Sequence, residues 1–199
     1  VTYTITPTGP APSLCPGLVT VYVITVHQNP TLTNAPLTQS VCSGNNSALV
    51  TLTADVASTT FAWTAVASAG VSGFTAVGTS TLPIQSISTS DVTPGTVTYS
   101  IIPTGPAPSF CPGNSVDYVI TVNPKPVLTN VSLAQQICSG GSSTIVTLTS
   151  DVALTTYSWS AVGTAGVAGF TSLGTGNIPV ETITTSGITA GTVTYTIIP

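Results

Sequence analysis

Apolar side chains alternate with threonine and serine along most of this chain, and a period of two marks strands that bury one face. Ala48–Asp55 sets Val50, Leu52 and Ala54 on one face, and Thr60–Val66 does the same with Phe61, Trp63 and Ala65. Thr96–Ile102 aims Val97, Tyr99 and Ile101 one way, and Asp117–Val122 aligns Tyr118, Ile120 and Val122. Leu37–Val41, Gly73–Val77 around Phe74, and Ile84–Thr89 complete the set. Turn residues separate these strands about every ten positions, and the 3.6-residue period of a helix is not sustained anywhere.

The pattern is written more than once. VTYTITPTGPAPSLCPG at residues 1–17 returns as VTYSIIPTGPAPSFCPG at 97–113, an offset of 96. Without a gap, that offset makes 62 of 103 overlapping pairs identical and carries Cys15 to Cys111, Cys42 to Cys138, Trp63 to Trp159 and Phe74 to Phe170. Such a period is too long for a solenoid turn and suits a string of sandwich domains. A tryptophan on the third strand of each copy is where immunoglobulin-like sandwiches bury one. The fold expected is therefore all-β: tandem immunoglobulin-like antiparallel sandwiches, with Trp63, Trp159, Phe74, Phe170, Tyr99 and Tyr195 in their cores.

Proline-bearing joints set the phase. His27-Gln28-Asn29-Pro30 and its copy Asn123-Pro124-Lys125-Pro126 read as linkers, since Pro30, Pro124 and Pro126 lack a backbone donor and stiffen the chain. Residues 1–28 are then the last two strands of a preceding repeat, 29–124 a complete repeat, and 125–199 a following repeat without its last strand. A 28-residue tail could form only a hairpin, which is marginal alone, so the stretch reads as cut from a longer array. The competing arrangement is a polymer in which the C-terminal repeat accepts a strand from a neighbour's N-terminal tail. Against it, 193–198 already copies 1–6, which would leave one strand redundant.

Composition narrows the function classes. Lys125 is the single basic residue beside five acids, the net charge is -4, and charged residues are 3% of the chain. One lysine cannot neutralise the phosphates of a nucleic acid or grip an anionic membrane surface. At 42% apolar residues the chain is not disordered through charge, and no apolar run reaches the length of a membrane span. No targeting leader is recognisable within it. With 39 Thr and 23 Ser, packing and backbone hydrogen bonds must carry stability that ion pairs cannot.

Two cysteines per repeat suggest disulfides in an extracellular setting. One pairing is Cys42–Cys111 within the complete repeat, leaving Cys15 and Cys138 to pair with cysteines outside the chain; the other is Cys15–Cys42 with Cys111–Cys138. Loop entropy separates them by less than about 1 kcal/mol. If successive strands run onward through the linker, Cys15 and Cys42 lie far apart, which favours Cys42–Cys111.

Catalysis finds little to work with. His27 is the only histidine, and its copy is Asn123. Asp55 and Asp151 correspond, but Asp91 becomes Gly187, Gln85 becomes Glu181 and Val21 becomes Asp117, so no carboxylate pair recurs for acid–base work. The two matched aspartates stand at strand ends and read as turn caps. No D-x-D run or C-x-x-C pair suggests calcium or zinc, and no cofactor is called for. Lys125 replaces Asn29, which argues against a Lys–Asn isopeptide crosslink in each repeat. The glycines after Cys138 read as tight turns, not a phosphate loop, since no helix follows. Asn45-Asn46-Ser47 and Asn130-Val131-Ser132 match the weak N-glycosylation spacing. Among the aromatics, only Tyr22 and Tyr118 are worth considering as a sugar platform.

Val-Asn-Pro-Lys-Pro (122–126), Phe-Cys-Pro-Gly (110–113), Ile-Cys-Ser-Gly-Gly (137–141), Tyr-Ser-Trp-Ser (157–160) and Gly-Thr-Val-Thr-Tyr-Thr-Ile (191–197) resemble the PKD-like repeats of giant Bacteroidetes surface proteins. These include the gliding-motility adhesin type and other substrates of type IX secretion. The resemblance implies a long, non-catalytic stalk on the cell surface, whose partners are the neighbouring repeats of its own chain. Sparse edge-strand charges suggest a second reading, a fibre or sheath of identical chains. The third is an accessory carbohydrate-binding module.

Overall fold

The computed structural model describes residues 1–199. It is all-β, without helices, and contains two tandem domains preceded by a hairpin. The hairpin pairs β1 (Thr2–Ile5) with β2 (Thr20–Val23), antiparallel and exposed throughout.

The first domain has a five-stranded sheet built from β3 (Thr38–Cys42), β6 (Thr60–Ala67), β8 (Val77–Thr79), β11 (Gly95–Thr104) and β12 (Val116–Asn123), in the order β3-β12-β11-β6-β8. Facing it are β4 (Asn45–Asn46), β7 (Val71–Ser72) and β10 (Ser86–Thr89), with a short ribbon of β5 (Val50–Thr51) and β9 (Thr81–Leu82). Alternation dictates the packing. Val97, Tyr99 and Ile101 of β11 and Tyr118, Ile120 and Val122 of β12 all point inward and are buried. They meet Leu52, Trp63, Leu82 and Ile87 in one continuous core.

Several expected strands are shorter or broken. Gly73–Val77 forms no strand beyond Val77, the first residue of β8, because Gly73 ends β7 by adopting φ 84° beside the Ser86 carbonyl, which leaves no room for a Cβ. Ala48–Asp55 keeps only Val50–Thr51 as strand, although Leu52 is still buried. One pairing departs from an antiparallel plan: β3 runs parallel to β12, with Thr38 opposite Val119 and Cys42 opposite Asn123.

The second domain repeats this plan in part. One sheet joins β13 (Gly141–Ser142), β17 (Thr182–Thr185) and β15 (Val167–Ala168); the other joins β16 (Leu173–Thr175), β14 (Ser158–Gly163) and β18 (Val193–Ile198). Residues 125–199 supply no strand in the position of β12, so β18 is an edge and the copy of β3 forms no strand. The core shrinks to Leu148, Trp159 and Ile178, with Tyr195 and Ile197 half-buried where Tyr99 and Ile101 are sealed.

Candidate functional site

The cysteines do not pair. All four are free thiols, with Cys15, Cys42 and Cys138 exposed and Cys111 half-buried. The Cys42–Cys111 bridge expected from the spacing is thereby corrected, and strand register supplies the reason. Cys42 lies opposite Asn123 at the far end of β12, whereas Cys111 sits beside the Thr104–Pro112 bridge before that strand begins. Seven strand steps of roughly 3.3 Å put more than 20 Å between them, against a limit near 7 Å for the Cα atoms of a disulfide. The alternative pairing, Cys15–Cys42 with Cys111–Cys138, does not form either.

The two matched aspartates sit at the joints. Thr31 donates its amide N–H to Asp55 Oδ1 at 2.7 Å and its hydroxyl to Oδ2 at 2.7 Å. In the second domain Val127 donates its N–H to Asp151 Oδ1, also at 2.7 Å. Short ladders extend each clamp, from Thr33 N–H to the Thr53 carbonyl and from Thr129 N–H to the Thr149 carbonyl, both at 2.9 Å. Asn34 and Asn130 bond the opposing backbone in the same way through both side-chain amide groups. Each domain therefore holds the segment that leads into it. These bonds favour the charged carboxylate: the Thr31 hydroxyl and amide hold Asp55 below the usual range, and the Val127 amide does so for Asp151.

The linker residues differ in how tightly they are held. Pro30 is fully buried, wedged under the β11–β12 hairpin against Pro103 and Gly113. A Cβ on Gly113 would collide with the Pro30 carbonyl and lie 2.8 Å from Pro103 Cγ. Pro124 and Pro126 are half-buried, and exposed Lys125 turns its ammonium toward Gly44. His27 is exposed, and no three His, Cys, Asp or Glu side chains converge.

In both domains the tryptophan defines the core geometry. Trp63 Nε1–H donates to the Thr81 carbonyl and Trp159 Nε1–H to the Gly176 carbonyl, each at 3.2 Å. Each indole packs edge-on to a tyrosine: Trp63 to Tyr99 at 5.4 Å and Trp159 to Tyr195 at 5.6 Å between ring centroids. Phe74 is half-buried against the first core, and Phe170 is half-buried beside Gly163.

A buried polar site beside those rings escaped the sequence reading. Gln85 donates Nε2–H to Tyr99 Oη at 2.8 Å while its Oε1 accepts the Thr75 amide. Glu181 replaces it in the second domain, accepting from the Tyr195 hydroxyl and, at 2.7 Å, from the Thr171 amide. Burial opposes ionisation of Glu181, but the Tyr195 and Thr171 bonds outweigh it and leave the carboxyl below its usual range. Burial and the Glu181 carboxylate together push the Tyr195 phenol up. The available signal was a Gln-to-Glu exchange at one offset position, next to strands that otherwise alternate cleanly.

The remaining feature is an open groove in the second domain. It encloses about 760 Å³ between residues 133–137, β17 and β18, with Leu133, Ile137, Ile183, Val193, Tyr195 and Ile197 among its walls. In the first domain the equivalent space is filled by the inward face of β12.

A family model described as PKD-like domain matches residues 39–126 and again 135–199. No curated protein matches the chain.

Proposed function

The chain belongs to the PKD-like domain family, and from that premise we propose that it is a non-catalytic stalk segment of a long extracellular adhesin or surface filament. Domains of this family are typical of extracellular, non-catalytic surface proteins. The observation that carries the stalk reading is the joint clamp made twice, Asp55 on Thr31 and Asp151 on Val127. By pinning each lead-in segment to its own domain, the clamps leave only a few proline-bearing residues free to bend. The likeness to the repeats of giant Bacteroidetes surface adhesins exported by type IX secretion supports the same location and role.

Chemical blandness fits a spacer exposed outside the cell. The single basic residue, Lys125, is followed by Pro126, and a Lys–Pro bond resists trypsin-like proteases. A sugar-binding role is less well supported, because Tyr118 packs into the core and Tyr22 stacks on Tyr3, with ring centroids 6.1 Å apart.

Small-angle scattering of two, four and six copies of residues 29–124 joined head to tail tests the proposal. A stalk lengthens by a constant increment per copy, about 30–45 Å given ten-residue strands plus a linker. A maximum dimension that levels off as copies are added would show units folding back on one another and would overturn it.

A further inference from the structure

Cysteine recurs at two places in the repeat, and the fold puts those places at opposite ends of a domain. The offset of 96 carries Cys15 to Cys111 and Cys42 to Cys138. Cys42 ends β3 opposite Asn123, where the chain leaves the first domain. There the Ser43 N–H donates to the Asn123 carbonyl at 2.7 Å, and Lys125 Nζ stands 3.8 Å from the point a Gly44 Cβ would occupy. Cys111 belongs to a loop at the other end, where the chain enters. In that loop Gly105 and Gly113 close on Pro30, and the Gly105 N–H donates to the Cys111 carbonyl at 2.9 Å.

The loop that carries Cys111 is preset. Phe110 and its copy Leu14, each immediately before the cysteine, adopt φ of 47° and 45°, a left-handed region that bulky side chains rarely enter. The same backbone bonds close both copies: Gly105 N–H to the Cys111 carbonyl, Phe110 to Pro106 and Gly113 to Pro103, then Gly9 to Cys15, Leu14 to Pro10 and Gly17 to Pro7. One copy sits on a domain and the other on a hairpin, so the conformation belongs to the loop itself. Strain kept twice at the same place marks a functional constraint on what the loop presents.

Pro126 is the copy of Pro30 at the joint between the two domains. A complete repeat entered through Pro126 sets its own copy of the Cys111 loop on that proline, next to the Lys125 that the Cys42 turn already meets. We propose that Cys42 of one repeat and the loop cysteine of the next, at the position of Cys111, form a disulfide across the joint they flank. The bond forms by exchange with a small-molecule disulfide such as oxidised glutathione. One protein thiolate attacks it, and the second displaces glutathione from the mixed disulfide. The two protein thiols lose two electrons and two protons in all, and the oxidant leaves as two thiols. Within the present chain Cys42 and Cys111 flank successive joints, in accord with their free thiols. The inference rests on the stalk reading, in which repeats follow one another head to tail, and it adds a covalent staple at each joint.

The test extends the full chain at Pro199 with the sequence of residues 104–124, which gives the second domain its own copy of the Cys111 loop. In one version serine replaces Cys15, Cys111 and Cys138, leaving Cys42 and the added cysteine. In the other serine replaces Cys15, Cys42 and Cys111, leaving Cys138 and the added cysteine. Each is incubated with oxidised glutathione, unfolded with N-ethylmaleimide to block free thiols, and its monomer weighed by mass spectrometry. The first version should lose two hydrogens and carry neither maleimide nor glutathione, the mark of an internal bridge. The second, whose cysteines lie at opposite ends of one domain, should carry a label or a glutathione on both. A first version without the bridge, or a second that bridges as readily, would overturn the proposal. Scattering increments that stay constant in reducing buffer while the first version fails to bridge would remove the staple and leave the stalk.

Discussion

Ile120 and Ile24 are the same residue in two copies of one strand, and truncating each to alanine separates packing from sequence. Ile120 is 1% exposed, opposite Val97 on one neighbour and Gln39 on the other, inside the core that contains Trp63. Removing three carbons from such a site costs about 2–5 kcal/mol, the lost transfer energy plus the cavity left behind. A domain of this size has roughly 5–14 kcal/mol of stability to lose. Ile24 projects from the open hairpin, where the same truncation should cost less than about 0.5 kcal/mol. The assay is guanidinium unfolding followed by tryptophan emission in a Trp159→Phe background, so that Trp63 reports the first domain alone. With a slope near 3 kcal/mol per molar, Ile120→Ala should lower the midpoint by about 1 M and Ile24→Ala should leave it unchanged. Equal shifts for the two variants, or no shift for Ile120→Ala, would refute the assignment of β12 to the core.

Three further outcomes follow from named contacts. Gly78→Ala would place a Cβ 2.7 Å from Cε2 and Cη2 of Trp63 and closer still to Cζ2, so it should destabilise the first domain by about 1–3 kcal/mol, read as a lowered melting temperature with altered Trp63 emission. Glu181→Gln installs the residue that the first domain already uses at this position, so its stability at pH 7 should stay near that of the unmodified chain. Because the folded carboxyl lies below its unfolded value, the Glu181 contribution is present above the unfolded pKa and lost as pH falls through the folded one. Acid unfolding of the second domain should accordingly become less steep in Glu181→Gln, and an unchanged acid limb would count against the Tyr195–Glu181 bond. Ellman titration of the unreduced chain should find four reactive thiols per molecule after unfolding, and fewer would contradict the four free thiols.

The strands that build the cores were legible because their pattern is local. The alternation in Thr60–Val66 and Thr96–Ile102 announces which side chains are buried, and Trp63, Tyr99 and Ile101 are buried accordingly. Relations between distant strands were not legible. Nothing in Leu37–Val41 shows that it will run parallel to β12, and that one pairing decides the fate of the cysteines by putting Cys42 at the opposite end from Cys111. Spacing counts residues but does not say which end of a strand a loop returns to. The site at Gln85 and Glu181 was hidden for another reason: a polar residue in a strand reads as solvent-facing until its partner, a tyrosine hydroxyl 14 positions away, is seen beneath it. The groove was implicit in the missing strand of 125–199, but its walls became visible only once β18 and residues 133–137 stood apart.

The stalk account depends most directly on stiffness at the joint between the two domains. Double electron–electron resonance can measure it with spin labels at the exposed copies Val66 and Val162, in a chain whose four cysteines are replaced by serine. The account predicts a narrow distance distribution at neutral pH that broadens in Asp151→Ala, where the bond from the Val127 amide is lost. A distribution that is already broad in the unmodified joint, and the same in Asp151→Ala, would contradict it.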